Sequence, residues 1–314
     1  MEILELINNG SQKLKNRNIY SHKLDSEILL SKVLNKTREE LLTNLDQKVE
    51  SRKINDFQKL LSRRSLKEPM AYILKEKEFW SKNFLVNNNT LIPRPETELM
   101  VEKLVNIFKT RDIFFLDIGT GTGCILLSIL SELKNSKGIG IDISQKAIQI
   151  ASQNSRKHKL TRRTKFYRKS FTEIFNNKFD LIVSNPPYIR KKDIKNLDDD
   201  IKKFEPKLAL DGGNDGLDVI KKIIYKSGSI LKIKGMLALE IGNEQFKKVS
   251  EILRSNKFKT KYLVRDYRRN IRCILSTLEE WSYSKARITL WIIIEEEISD
   301  LDHKRIILEE ETAL

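Results

Sequence analysis

The sequence predicts an α/β protein with a mainly parallel, Rossmann-like sheet and a small helical domain at its N-terminal end. Two observations predict the sheet: an apolar run that leads into a glycine-rich turn at 119–123, and another that ends in Asn185-Pro186-Pro187-Tyr188. Apolar runs without polar alternation are typical of parallel strands, which are buried on both faces. Residues 2 to about 70 instead carry apolar side chains at helical spacing in short pieces.

The helical pieces have recognisable start signals. Asp25 is interpreted as the start of one helix, and Thr37 with Glu40 forms a capping box before another. These signals predict a small bundle over residues 1–75. Its function is either docking of a macromolecular substrate, which we favour, or stabilisation of the second domain as a lid.

A β-hairpin is predicted to link the bundle to the second domain over residues 76–92, with Ser81-Lys82-Asn83 as its turn. Pro95 suits the first position of the next helix, which should run to about Lys109. Arg94, directly before that helix, is either functional or an ordinary surface arginine.

The glycine-rich turn connects a buried strand at 113–118 to an apolar helix. Glycines let a ligand approach the backbone closely, and the amides of the turn point at it. The next strand ends in Asp142, about 20 residues downstream, where a carboxylate would hold both ribose hydroxyls of a nucleoside. The turn lacks the spacing of a pyrophosphate site, and S-adenosylmethionine fits: its ribose at Asp142 and its amino-acid end near Asp117 and Gly119. A glycine-rich turn with an incidental aspartate is the alternative.

The corner Asn185-Pro186-Pro187-Tyr188 suits a planar substrate that carries an NH2 group. The Asn185 side-chain oxygen and the Pro186 carbonyl can accept hydrogen bonds from that nitrogen, while the Tyr188 ring packs on the planar face. No strong base is offered, which favours attack by a nitrogen on an activated methyl group over hydrolysis. A strand-ending turn without function is the alternative. The predicted catalytic residues are Asn185, Pro186 and Tyr188, and the substrate-binding residues are these three and Pro187.

The composition restricts the class of protein further. The net charge is +16, which favours a polyanionic or acidic partner without deciding between RNA and protein. Cys124 and Cys273 are too few and too far apart for a disulfide framework or a metal site, so we expect no bound metal and a reducing compartment. The acidic start and the absence of a membrane-length apolar run predict a soluble, cytoplasmic protein.

Together, the motifs resemble the HemK-type methyltransferases, which methylate the glutamine side-chain amide of peptide chain release factors. The resemblance runs from about residue 20 to 276, and the stretches 92–98 and 204–206 are its most specific parts. It implies a class I methyltransferase fold over 93–276, S-adenosylmethionine as cofactor and a release factor as partner. We also expect a monomer that forms no stable complex with nucleic acid or membrane.

Two residues depart from the family pattern. Lys169 stands where an acidic residue usually precedes the adenine contact, which places that contact at Ser170, with Phe171 as the alternative. Arg269 replaces a glycine in the last hairpin, so its turn is expected to be reshaped. The predicted cofactor-binding residues are Gly119, Thr120, Gly121, Thr122, Gly123, Asp142, Ser170, Phe171 and Asn185.

The sequence therefore predicts methyl transfer to the glutamine of a Gly-Gly-Gln motif in release factors. One alternative is a nucleic-acid methyltransferase that acts on an adenine or guanine amino group at the same corner. Another is a basic RNA- or ribosome-binding protein without activity. Residues 277–314 form a tail with ten acidic against four basic residues, and no role is assigned to it.

Overall fold

The computed structural model describes residues 1–173 and 178–280. Met1–Leu278 form one compact unit. Residues 281–314 of the predicted tail lie outside the described residues.

Residues 1–75 form a helical bundle. Its helices are α1 (Ile3–Lys15), α2 (His22–Leu34), α3 (Arg38–Leu42), α4 (Ser51–Ser65) and α5 (Met70–Leu74). The capping box at the start of α3 is confirmed, because Thr37 accepts from the Glu40 amide and Glu40 accepts from the Thr37 amide. The predicted start of α2 is wrong: Asp25 lies within its first turn, buried and bonded to Ser21 and Arg64. The ion pair with Arg64 of α4 joins the two helices, so Asp25 serves packing rather than capping.

The bundle has a core of its own. Leu6 of α1, Leu29 of α2 and Phe57 and Leu61 of α4 are all fully buried within it. Each such side chain contributes about 1.5–3 kcal/mol relative to an exposed position. The helical spacing read in the sequence is therefore the spacing of the buried face.

A β-hairpin follows the bundle. Its strands are β1 (Glu76–Phe79) and β2 (Lys82–Leu85). The predicted turn at 81–83 is wrong, because Trp80 and Ser81 form a two-residue turn with φ of 53° and 52°. Positive φ at both positions matches the twist of the paired strands. Asn154, in a helix packed on the sheet, bonds to both main-chain groups of Leu85 and anchors the hairpin.

The central sheet has seven strands within the described residues. They are β3 (Phe114–Ile118), β4 (Lys137–Asp142), β5 (Thr164–Arg168), β6 (Phe179–Ser184), β7 (Leu231–Glu240), β8 (Phe258–Arg265) and β9 (Ile271–Leu278). Their order is β5-β4-β3-β6-β7-β9-β8, with only β9 antiparallel to its neighbours. The predicted fold class is confirmed, including the antiparallel hairpin at one edge. The direction of winding reverses between β3 and β6, which creates a crevice at the carboxyl ends of these strands.

Further helices cover the sheet or cross its carboxyl edge. Among the described residues they are α6 (Pro95–Phe108), α7 (Cys124–Glu132), α8 (Gln145–Lys157), α9 (Asp199–Phe204), α10 (Asp218–Ile230) and α11 (Phe246–Ser255). The predicted start of α6 at Pro95 is confirmed. Short 3₁₀ turns at Lys191–Asn196 and Lys207–Ala209 flank α9 in the long loop before α10. In the part of the chain that the structure describes, no helix has the length and apolar character needed to cross a bilayer.

Candidate active site

A cavity of about 370 Å³ opens at the carboxyl edge of the sheet, where the winding reverses. Its volume lies within the usual range for small-molecule sites. One side is formed by the glycine turn after β3, the end of β4 and the loop after β5. The other side is formed by the start of α6, the corner after β6 and the long loop around α9. We call these sides the cofactor half and the substrate half.

The glycine turn borders the cofactor half with its backbone. Gly119 and Gly121 have φ of 70° and 53°, which glycine adopts without strain. A Cβ atom added at Gly119 would meet no other atom within 4 Å, so the turn is open on the cavity side. Thr120 and Thr122 also line the cavity, whereas Gly123 does not: it caps α7, and a Cβ there would lie 3.3 Å from Ala151.

Asp142 is held in place at the end of β4. Its Oδ1 accepts a hydrogen bond from the Ser144 amide (2.9 Å) and its Oδ2 accepts one from the Gly121 amide (3.1 Å). Burial raises the pKa of Asp142, and these amide hydrogen bonds oppose the shift. Each carboxylate oxygen has a further lone pair, so Asp142, which lines the cavity, can still accept two hydroxyl groups.

Asp117 lies beneath the turn and is fully buried. Its Oδ2 accepts a hydrogen bond from the Thr120 hydroxyl at 2.7 Å, and the Leu126 amide at the start of α7 also stabilises the carboxylate, whereas Oδ1 makes no hydrogen bond of ordinary geometry. Burial raises the pKa of Asp117 to about 7. A positively charged group bound above the turn would offset the cost of this buried carboxylate.

The loop after β5 completes the cofactor half. Of the two residues expected beside an adenine ring, Phe171 lines the cavity and Ser170 does not. The Ser170 amide donates to Glu173 and its hydroxyl bonds to Thr172, so this residue closes the local turn. Lys169, the departure from the family pattern, also lines the cavity.

The corner after β6 borders the substrate half. Asn185, Pro186 and Pro187 line the cavity, as the sequence predicts for a binding corner. The Ser184 hydroxyl donates to the Ile118 carbonyl at 2.7 Å and ties the end of β6 to the end of β3. The corner and the glycine turn are therefore held at the same edge of the sheet.

Tyr188 takes a different position from the one expected for stacking on a substrate. It does not line the cavity but packs against the apolar core around α10 and α11. Its hydroxyl accepts a hydrogen bond from Arg272 at 3.2 Å, and its carbonyl accepts one from Gln245 at 3.0 Å. Burial raises the pKa of Tyr188. These contacts hold the residue that follows the two prolines.

Thr97 and Glu240 form a buried pair behind the corner that the sequence did not single out. The Thr97 hydroxyl donates to Glu240 Oε2 at 2.6 Å, and Asn185 Nδ2 donates to Thr97 Oγ1 at 3.3 Å. Burial raises the pKa of Glu240 to about 7. A glutamate as the last residue of a buried strand was the available signal, because carboxylates are rarely buried without a specific role.

Arg94 and Glu205 join the start of α6 to the long loop. Arg94 lines the cavity, and its Nη2 lies 2.5 Å from Oε1 of Glu205, whose side chain is 1% exposed. Burial raises the pKa of Glu205, and the guanidinium group opposes the shift. Phe204 packs beside Tyr72 and Ile92, which fixes the loop over the substrate half. Arg94 is therefore tied to a buried glutamate rather than free at the surface, and whether it also has a function stays a prediction.

Within residues 1–173 and 178–280, no group of three or more histidine, cysteine, aspartate or glutamate side chains has an arrangement that could hold a metal ion. Cys124 and Cys273 are both buried free thiols, and burial raises the pKa of each above its ordinary value.

Two family models match the chain: a PrmC N-terminal domain over residues 5–74 and a methyltransferase domain over residues 109–296. Among solved structures, the hMettl16 catalytic domain in complex with an RNA hairpin superposes with a TM-score of 0.54 at 16% identity. That match covers 71% of this chain and 83% of that one, and it shows likeness of fold alone.

Two kinds of curated relative are similar in sequence. A "Release factor glutamine methyltransferase" of Buchnera aphidicola (subsp. Acyrthosiphon pisum) is 40% identical, covering 87% of this chain and 97% of the relative. A "Bifunctional methyltransferase" of Rickettsia prowazekii is 36% identical and also covers 87% of this chain. The chain spans 56% of the length of that relative.

The strand order, the glycine turn after β3 and the acidic residue that ends β4 define the class I methyltransferase fold, a class of proteins that uses S-adenosylmethionine as methyl donor. The residues of the cofactor half fit that molecule. Gly119 leaves open space, Asp142 offers acceptors for hydroxyls, and the buried carboxylate of Asp117 favours a nearby ammonium group. With the sequence matches, the chain belongs to the release factor glutamine methyltransferase family.

Proposed function

We propose that this protein transfers a methyl group from S-adenosylmethionine to the side-chain amide nitrogen of the glutamine in the Gly-Gly-Gln motif of peptide chain release factors, and so supports translation termination. One observation carries the proposal. A corner with two hydrogen-bond acceptors, at Asn185 and Pro186, lines the same cavity as the glycine turn and Asp142, the carboxylate expected to bind ribose hydroxyls.

The cofactor, when bound, supplies an electrophilic methyl group, and the protein mainly has to aim the substrate nitrogen. The Asn185 Oδ1 and Pro186 carbonyl oxygens accept the two N–H groups of the amide. Both are weak bases, so they orient the nitrogen, and the proton that the nitrogen loses on methylation passes to solvent water. Aiming of this kind lowers the barrier through orientation and proximity. Pro187 fixes the backbone of the corner, and Tyr188 anchors the corner from behind through its hydrogen bonds to Arg272 and Gln245.

The substrate amide must reach a cavity that the long loop partly covers. Pro206, Leu208 and Ala209 line the cavity from that loop, and the Arg94–Glu205 pair fixes it there. A glutamine beside two glycines has slender neighbours and a backbone free to bend, so it suits an entrance that the loop partly covers. This supports a Gly-Gly-Gln loop tip over a glutamine on a helix or strand.

Contacts outside the cavity would supply further specificity. We propose that residues 1–75 dock the release factor, that 76–92 link the domains, that 93–276 carry out the transfer, and that 277–314 have no assigned role. The net charge of +16 favours an acidic protein partner through long-range attraction. We expect the protein to act as a cytoplasmic monomer that forms no stable complex with nucleic acid.

Labelled S-adenosylmethionine tests the proposal directly. An intact release factor should accept label efficiently, a short Gly-Gly-Gln peptide weakly, and a factor with the glutamine replaced by glutamate not at all. Parallel reactions with total RNA and total DNA test the alternative function, methylation of a nucleic acid, which the basic charge of the chain favours. Label on a nucleobase, with none on the factor, would contradict the proposal.

A further inference from the structure

Three side chains from different elements form a continuous hydrogen-bonded chain behind the substrate half. Glu240 ends β7, Thr97 lies in the first turn of α6, and Asn185 follows β6. The distances are 2.6 Å from Thr97 Oγ1 to Glu240 Oε2 and 3.3 Å from Asn185 Nδ2 to Thr97 Oγ1. Thr97 and Glu240 are 2% and 1% exposed, so water does not compete for the bond between them.

The chemistry of the carboxylate fixes the direction of this chain. An ionised Glu240 can only accept, so the single hydroxyl proton of Thr97 must be donated to it. Thr97 Oγ1 can then only accept from Asn185, which must present its NH2 group to that oxygen. The Oδ1 atom of Asn185 is left on the other side of the amide, at a residue that lines the cavity.

We propose that Glu240, acting through Thr97, is a positioning residue that holds the Asn185 amide with its oxygen toward the substrate. Asn185 then accepts a hydrogen bond from the substrate N–H group instead of opposing it with its own NH2 group. This inference rests on the proposed function, because it explains how the acceptor is kept in the orientation needed for an amide substrate.

The cost of burying the Glu240 carboxylate supports this role. Its Oε1 has no hydrogen-bond partner, and an orphaned buried oxygen is rare in native proteins. Arg272 attracts the carboxylate, the Asn185 side chain also stabilises its charged form directly, and Glu96 repels it. A buried carboxylate that costs stability is expected where it serves function.

The charge on Glu240 gives the network a pH dependence. Burial is the main cause that raises its pKa to about 7, so the carboxyl loses its proton near neutral pH. A protonated Glu240 can donate to Thr97, which frees Thr97 to donate to Asn185 Oδ1 and removes the enforced direction. The groups that face Glu240 are Glu96 and Thr97 of α6, Cys124 of α7, Arg272 and Cys273 of β9, and Asn185 and Tyr188 of the corner.

The first experiment removes the Thr97 hydroxyl and keeps the shape of the side chain. Thr97→Val should lower kcat on an intact release factor about tenfold or more, because the acceptor is no longer aimed. Thr97→Ser keeps the hydroxyl and should stay within about threefold of the wild type. The dissociation constant of S-adenosylmethionine should be the same in both variants. Wild-type kcat in Thr97→Val would overturn the inference.

Thr164→Val is the matched control. Thr164 lies in β5, away from the corner. The variant removes its buried hydroxyl, which forms a hydrogen bond with Ser155 of α8 at 2.7 Å. This variant should melt at a lower temperature with unchanged kcat. An equal loss of kcat in Thr164→Val and Thr97→Val would mean that Thr97 acts through general stability alone, and the inference would fail.

The second experiment uses Glu240→Gln and a pH series. The wild-type kcat should rise relative to that of Glu240→Gln as the pH passes about 7, and the two should converge below pH 6. A structural role would give a ratio that does not change with pH. A constant ratio between pH 6 and 8 contradicts the inference.

A readout independent of turnover separates this inference from the proposed function. The side-chain NH2 signals of Asn185 in a ¹⁵N NMR spectrum, assigned by their loss in Asn185→Ala, should shift with pH near 7 in the wild type and not in Glu240→Gln. If no release factor is methylated but this shift is seen, the proposed function fails and the positioning network stands. If the factor is methylated but no shift is seen, the network inference fails alone.

Discussion

The cofactor half of the cavity is organised around one glycine turn, whose amides bond to the end of β4, and the carboxylate that ends this strand, whereas the substrate half gathers side chains from distant segments. Gly119, Gly121 and Asp142 lie within one strand-turn-helix-strand unit. Thr97, Asn185 and Glu240 instead meet only because α6, β6 and β7 come together at one edge.

Because of this difference, substitutions in the two halves should impair the protein in different ways. A backbone turn shapes a binding site, so damage to the cofactor half should appear mainly as lost affinity. A relay of side chains aims one atom, so damage to the substrate half should appear mainly as lost turnover. Variants of each half should therefore separate the binding of the cofactor from the aiming of the substrate nitrogen.

The largest expected effect is that of Asn185→Ala. Loss of the acceptor should raise the barrier by about 3 kcal/mol, around a hundredfold in kcat, with little change in cofactor affinity. Single-turnover kinetics and calorimetric titration with S-adenosylmethionine measure the two quantities separately. Full turnover in this variant would make the corner a plain strand-ending turn.

The opposite half is probed by Asp142→Ala. Loss of two charge-assisted hydrogen bonds should weaken S-adenosylmethionine binding by roughly 2 kcal/mol, which is tens-fold in affinity. At saturating cofactor, kcat should recover most of its wild-type value. Unchanged affinity in the titration would place the ribose elsewhere.

Glu240→Gln tests the substrate half through the stability of the protein. Folding raises the pKa of Glu240 from 4.5 to about 7, so the folded protein binds this proton more tightly than the unfolded chain. The buried charge therefore destabilises the fold increasingly from pH 4.5 to 7, and fully above that. We expect the free energy of unfolding of Glu240→Gln to exceed that of the wild type by about 1–2 kcal/mol at pH 8, and to equal it at pH 4.5. Urea denaturation at both pH values measures this, and an equal gain at both would contradict it.

The smallest expected effect lies outside both halves. Arg269 has φ of 66° in the turn between β8 and β9, where the Arg269 amide donates to the Asp266 carbonyl. Glycine adopts this conformation without strain, so Arg269→Gly should raise the free energy of unfolding by about 0.5–1 kcal/mol. Arg269→Ala retains a Cβ atom and should give no comparable gain. Equal stability of the two variants would show that the φ is not strained.

The same contrast explains how much the sequence could predict. Strand, glycine turn and terminal aspartate are contiguous in the chain, so their pattern predicted the fold class and the elements of the cofactor half. Phe171 and Ser170 are neighbours, and only the local turn, closed by Glu173, decides which of them reaches the cavity. Periodicity carries no information on such a choice.

The substrate half was predicted less completely, for a physical reason. Asn185 and its prolines were recognisable because they follow directly on a buried strand, but the burial of Glu240 against Thr97 depends on a contact 143 residues apart. Tyr188 packs away from the cavity because Arg272 of the edge hairpin binds its hydroxyl, which no local pattern indicates.

Tandem mass spectrometry of a methylated release factor tests the central claim most directly, because the claim concerns which atom faces the methyl group. The corner described here presents acceptors to a planar amide, so the account predicts one added methyl group on the side-chain nitrogen of the glutamine in the Gly-Gly-Gln motif. A methyl group on the carboxylate of an acidic residue, on the backbone or on any other side chain of the factor would contradict it.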